Sequence, residues 1–153
     1  MNFSKEIAKI SLDTGAIKLQ PDKPFLWASG YLMPVYNDNR LLLSSAKYRQ
    51  IINDGFQEII TQKKISVDVV AGTATAGIPA ATSLSNTLET PLIYVRPSPK
   101  NHGMQNKIEG LLYPDQKVVV IEDLISTGGS AIKAVTAIRE AGGQVENCLS
   151  IFS

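Results

Sequence analysis

The sequence predicts an α/β fold in which a mainly parallel sheet is flanked by helices and preceded by a small N-terminal hood. Three observations carry this. From residue 67 onward, short β-branched strands alternate with small-residue loops and helices, the grammar of a parallel sheet with helices on its faces. Residues 44–63 carry apolar side chains at three- and four-residue steps, the period of an amphipathic helix. A chain of 153 residues, 44% hydrophobic and 19% charged, suits one globular domain with a real core. A single domain over residues 1–153 is therefore expected, with the hood at about 1–43 and the parallel-sheet core at about 44–153.

Ser4 is the expected N-cap of a first helix that places Ile7 and Ile10 on one face and ends near Gly15. In "PDKPFLWASGYLMPVYNDNR", residues 21–40, prolines and a Ser-Gly turn exclude a regular helix and favour a small β element. The long helix over 44–63 is set by Tyr48, Ile51, Ile52, Phe56, Ile59 and Ile60. "VDVVAGTATAGIPAATSLSNTL" then reads as strand, loop and helix, and "PLIYVR" as a second strand. "KVVVIEDLISTGGSAIKAVTAIREAGG" repeats strand, loop and helix, and "QVENCLSIF" is a further strand. The sequence stops at Ser153 directly after that strand with no covering helix, so either a minimal domain or a fragment is expected.

Composition excludes several classes. A formal net charge of +1 supplies no overall field for nucleic acid or an anionic membrane. Cys148, the single cysteine, cannot form an internal disulfide, which suits a packed thiol in a reducing compartment. No apolar run approaches the about 18 residues of a membrane span, and the N-terminus is amphipathic, unlike a secretory leader. A cytoplasmic protein with neither nucleic acid nor membrane as partner is expected.

The chemistry concentrates in "VVVIEDLISTGGS", residues 118–130. A buried aliphatic strand runs straight into Glu122 and Asp123, although burying an unpaired charge is costly. The loop that follows, Ser126, Thr127, Gly128, Gly129 and Ser130, joins hydroxyls to glycines that let the backbone approach a ligand. With a helix N-terminus behind it, this is a phosphate cradle. It is neither a P-loop, which needs a lysine after the glycines, nor a dinucleotide fingerprint, whose glycine spacing it fails. Carboxylates accept well from sugar hydroxyls, so the acidic pair reads as a clamp on a ribose whose 5-phosphate sits in the loop. The structural alternative is that the two residues only terminate a strand or cap the next helix. The loop "YVRPSPKNHGMQNKIEG" gathers Arg96, Lys100, His102 and Lys107, as a lid over pyrophosphate requires. A solvated basic loop is the plain alternative.

These residues carry a resemblance. "VVVIEDLISTGGS" resembles the phosphoribosyl pyrophosphate (PRPP) signature of the type I phosphoribosyltransferases, and "AGTATAGIPAA" resembles their pyrophosphate loop. The resemblance implies a non-proline cis peptide at Ala74 and Thr75, whose backbone faces the pyrophosphate. Arg96, Lys100, His102, Gly103 and "IEG" at residues 108–110 resemble the catalytic loop of the orotate phosphoribosyltransferases, with Pro97 where that pattern has a lysine. "FLWASGYLMPVYNDNR" resembles their hood through Ser29, Gly30, Pro34, Tyr36 and residues 38–40, with Ala28 where many members carry a lysine.

The resemblance implies the type I phosphoribosyltransferase fold, with the family's last strand and helix expected to be missing. It implies transfer of phosphoribose from PRPP to orotate with magnesium, in a homodimer whose catalytic loop is shared between subunits. It assigns Lys100, His102 and Arg96 to catalysis; Glu122 and Asp123 to the ribose; and residues 126–130 to the 5-phosphate. Ala74, Thr75, Arg96, Lys100 and His102 fall to the pyrophosphate, Ser126 and Tyr36 to orotate, and no side chain directly to the metal. Two rivals stay open: a non-catalytic PRPP-binding regulator of transcription, and a purine-salvage transferase of the same fold.

Overall fold

In the computed structural model, which describes residues 2–27, 29–98 and 107–153, Asn2 opens the first helix. Its side chain accepts a hydrogen bond from the Lys5 amide at 3.1 Å, satisfying one of the amides that a helix start leaves unpaired. The cap thus falls at Asn2 rather than at Ser4, which lies inside α1 (Phe3–Asp13). Ser4 fails as the cap because an equally good capping residue stands two positions earlier and the helix starts there. Gly15, with φ of 72°, takes the left-handed conformation that ends the helix.

The chain divides into two units, Met1–Gly55 and Phe56–Ser153. In the first, β1 (Ile17–Leu19) pairs antiparallel with β4 (Val35–Asn37), and β2 (Phe25–Leu26) with β3 (Leu32–Met33). These are the short strands expected of the proline-punctuated segment. Trp27 ties them together: its amide donates to Tyr31 O at 2.9 Å and its indole N–H to Val35 O at 2.7 Å. A six-residue 3-10 helix, Asn39–Ser44, follows and buries Leu42 completely. It is too short to show a period in the sequence. Asp38 caps it by accepting from the Arg40 amide at 3.2 Å, and also pairs with the Arg40 guanidinium at 2.6 and 2.9 Å. That guanidinium holds the Asp38 carboxyl below the usual carboxylate range.

Helix α2 (Ala46–Lys63) begins in the first unit and ends in the second. Its buried residues Ile51, Ile52, Phe56 and Ile60 follow the expected three- and four-residue steps. The rest of the second unit is a five-stranded sheet in the order β7-β6-β5-β8-β9. Its strands are β5 (Val69–Thr73), β6 (Leu92–Val95), β7 (Ile108–Glu109), β8 (Lys117–Leu124) and β9 (Gln144–Phe152). All neighbours are parallel except β7, which runs antiparallel to β6 at the edge. Helix α3 (Ile78–Leu88) links β5 to β6, and α4 (Gly129–Glu140) links β8 to β9.

Alternation along the strands decides which helix each residue meets. Val69 and Ala71 of β5 and Val118 and Val120 of β8 cluster with Ala134, Ala137 and Ile138 of α4. The opposite face takes α3, and there Gly72 matters: a Cβ at this position would stand 3.0 Å from both Ala81 Cβ and Ile78 Cα. A side chain would hold α3 off the sheet, so the glycine sets how close the helix lies. Ile138 is fully buried at the centre of the α4 face. Ile138→Ala removes its side chain and leaves a cavity, with an expected loss of about 2–5 kcal/mol in chemical denaturation. A loss below 1 kcal/mol would show that this face is not the core.

Candidate functional site

The site follows from where two crossovers part. The chain leaves β5 through α3 toward β6 on one side, and leaves β8 through α4 toward β9 on the other. β5 and β8 are parallel neighbours, in register from Val69 opposite Val118 to Gly72 opposite Ile121. Their carboxyl ends therefore form the switch point at which ligands bind in open α/β sheets. One residue further along each strand come Thr73 and Glu122. Both are only 5% exposed, and the Thr73 hydroxyl donates to Glu122 Oε1 at 2.7 Å. The same carboxylate oxygen accepts the Asp123 amide at 2.9 Å. Asp123 is half-buried, so of the two acidic residues it is the one turned further toward solvent.

Burial, first, and the side-chain hydrogen bond with Asp123 push the Glu122 carboxyl above its ordinary range; the bond from Thr73 opposes them. Glu122 is thus a buried acid whose neutral form the fold favours. Burial also lifts the half-buried Cys148 thiol to about 11, with Glu122 nearby adding to the effect. Cys148 sits opposite Val120 on β9 as a packed, unreactive thiol.

After β8 the backbone turns through the glycine-rich loop into α4. Ile125 N donates to Phe152 O at 3.0 Å, which anchors the loop's start. Gly128 is the N-cap residue of α4 at φ 81°, a left-handed conformation open to glycine, and no side chain caps the helix. The positive end of α4, with its exposed first residues Gly129 and Ser130, therefore adjoins the exposed Ser126 and Thr127. After β5 the Ala74–Thr75 peptide is cis, as the resemblance implied. Ala74 N donates to Val95 O at 2.8 Å and Gly77 N to Thr73 O at 3.0 Å, so this turn is stitched to its own strand and to β6.

Arg96 leaves the end of β6. Its amide donates to Lys107 O at 2.8 Å, and its guanidinium stands 3.6 Å from Glu109 Oε1. Lys100, His102 and Gly103 lie outside the described residues, as does Ala28. Tyr36 belongs to β4 in the first unit, where its ring packs on Phe25 with centroids 5.4 Å apart. The second unit thus brings together Glu122, Asp123, the 126–130 loop and the Ala74–Thr75 turn around one switch point. Sequence reading missed Thr73, whose only signal was a polar residue closing a buried strand.

The raised Glu122 pKa has a thermodynamic sign. The stability this residue gives is present below the ordinary glutamate range and is lost as pH rises through the raised folded value. Glu122→Gln keeps the acceptor oxygen without the charge. At pH 8 it should raise Tm by about 2–4 °C, the shift of about 1 kcal/mol for a domain of this size, and the gain should vanish near pH 4. An equal shift at both pH values would contradict the buried-acid assignment.

Comparison with known proteins agrees with this geometry. Residues 42–152 match the family described as the phosphoribosyl transferase domain. The chain is 52% identical over 153 residues to the orotate phosphoribosyltransferase of Listeria monocytogenes serotype 4b (strain F2365), covering all of this chain and 73% of that protein. It is 48% identical to the orotate phosphoribosyltransferase of Cytophaga hutchinsonii, with the same coverage. The crystal structure of orotate phosphoribosyltransferase from Aeropyrum pernix superposes with a TM-score of 0.81 at 34% identity, covering 94% of this chain and 79% of that one. A parallel sheet with its acidic strand end and glycine loop at one switch point, and about half of all positions shared with such relatives, place this chain in the orotate phosphoribosyltransferase family.

Proposed function

We propose that the protein transfers the 5-phosphoribosyl group of PRPP to orotate, giving orotidine 5'-monophosphate and pyrophosphate in pyrimidine biosynthesis. The observation that carries this reading is the convergence of the Glu122–Asp123 strand end, the uncapped α4 N-terminus and the Ala74–Thr75 turn at the β5/β8 switch point. The 5-phosphate would take the backbone amides of Ser126, Thr127, Gly128, Gly129 and Ser130. Asp123 and Glu122 would accept from the ribose hydroxyls. Tyr36 and Ser126 are the proposed contacts to orotate.

In the transfer, a ring nitrogen of orotate gives up its proton to solvent and supplies the electron pair that forms the new bond to C1, and the C1–oxygen bond to pyrophosphate breaks. The ribose acquires oxocarbenium character, as in glycoside cleavage, while negative charge collects on the departing oxygens. Arg96, Lys100 and His102 would stabilise that charge, most strongly once water is excluded. His102 would also donate a proton to the leaving group, a task suited to imidazole near neutral pH. The Ala74–Thr75 turn would meet the same pyrophosphate.

Magnesium fits the donors present. Asp123 offers hard carboxylate oxygens beside the proposed ribose site, and among the described residues no group of three or more His, Cys, Asp or Glu forms a cage. Because this ion keeps its waters and takes few protein ligands, the phosphates and hydroxyls of PRPP would hold it, and there it would supply positive charge to the leaving pyrophosphate. The reading extends to a single phosphoribosyltransferase domain, a homodimer sharing its catalytic loops, and a cytoplasmic location. Among the described residues no helix is long and apolar enough to cross a membrane.

A base panel tests the reading. With PRPP and magnesium, orotate should support pyrophosphate release, while uracil, adenine and hypoxanthine should not. Lys100→Ala should lower kcat/KM by about 10²-fold or more, the usual cost of removing one charge-stabilising donor. Turnover with a purine base alone would move the protein to purine salvage. PRPP binding without turnover on any base would favour a regulator.

A further inference from the structure

We infer that Thr73 is a positioning residue for PRPP: its buried hydroxyl fixes the Glu122 carboxyl, and through it Asp123, at the root of the proposed ribose clamp. The inference rests on the reading that the two acidic residues hold the ribose. Thr73 closes β5 and is the one polar side chain in that strand. Its hydroxyl lies 2.7 Å from Glu122 Oε1, with Ile121 O at 3.3 Å as a second acceptor. Both partners are almost out of solvent, where a hydrogen bond is stronger and its loss more costly than in water.

The consequence reaches the ligand through two short connections. Glu122 Oε1 also accepts the Asp123 amide, so the carboxyl that Thr73 orients sets the backbone from which the more exposed Asp123 projects. Thr73 is also followed directly by the Ala74–Thr75 turn, proposed for the pyrophosphate. One hydroxyl thus joins the ribose end of the site to its pyrophosphate end. Gly77 makes room for the arrangement: a Cβ there would come within 2.6 Å of Ile121 O and would collide with the Thr73 hydroxyl. Gly77 has an ordinary helical conformation, with φ of −75°, so space rather than backbone freedom requires the glycine.

The test separates positioning from bulk stability. Thr73→Val keeps the shape and removes the hydroxyl; Thr73→Ser keeps the hydroxyl. Thr73→Val should raise KM for PRPP about tenfold, the scale of one hydrogen bond lost to a carboxyl group, and leave KM for orotate within about twofold. Thr73→Ser should restore KM for PRPP to within about twofold of the parent protein. Thr73→Ala, read by the same pair of KM values, serves if the valine variant does not fold. An unchanged KM for PRPP in the variants lacking the hydroxyl, or an equal rise in Thr73→Ser, overturns the inference. Asp123→Asn, run in parallel, separates the two levels. If it weakens PRPP while Thr73→Val does not, the inference alone fails; if it leaves PRPP binding intact, the ribose-clamp reading fails and the inference with it.

Discussion

β5 and β8 are parallel neighbours whose onward connections run in opposite directions, and this divergence is the constraint on which the second unit depends. Because α3 departs on one face and α4 on the other, neither of these two connections covers the strand ends, and polar groups can stand there next to a buried core. Val120 and Ile121 are wholly buried, and Glu122 follows them directly. A carboxyl at that depth is tolerated because Thr73 and the Asp123 amide satisfy one of its oxygens, while burial pushes its pKa above the ordinary range. The hydrogen bond between strands and the burial around it are thus one structural solution.

Charge is distributed around this point in a consistent order. Glu122 lies deepest and Asp123 further out. The positive end of α4 follows, exposed because its N-cap is a glycine with no side chain to fill it. A donor with a ribose next to a phosphate matches that sequence of groups, hydroxyls against carboxyls and phosphate against amides. At the other side of the sheet, the Arg96–Lys107 backbone bond and the Arg96–Glu109 pair tie β6 to β7. They fix both ends of the segment that carries the remaining proposed cations.

Much of this was legible in the sequence, for specific reasons. Apart from β7, the strand and helix alternation from β5 to β9 showed because its elements have a clear apolar pattern and their boundaries a glycine, a proline or a polar cluster. Glu122 and Asp123 showed because carboxylates after four aliphatic residues conflict with burial unless they have a task. The Asn2 cap, the 3-10 helix over Asn39–Ser44 and the two-residue β7 were missed, since each is decided by one or two residues with no period. Thr73 was missed for another reason: its partner is 49 positions away, and only the register of β5 against β8 brings them together. Local pattern does not encode that register; packing does.

The central claim is that one switch point receives one donor, with phosphate, ribose and pyrophosphate laid along it. A crystal structure of the protein with PRPP and magnesium tests this most directly. The account predicts the 5-phosphate on the backbone amides of residues 126–130 and the ribose hydroxyls within hydrogen-bond distance of the Asp123 carboxylate. A phosphate bound away from the α4 N-terminus, or a ribose turned from Asp123, would contradict it.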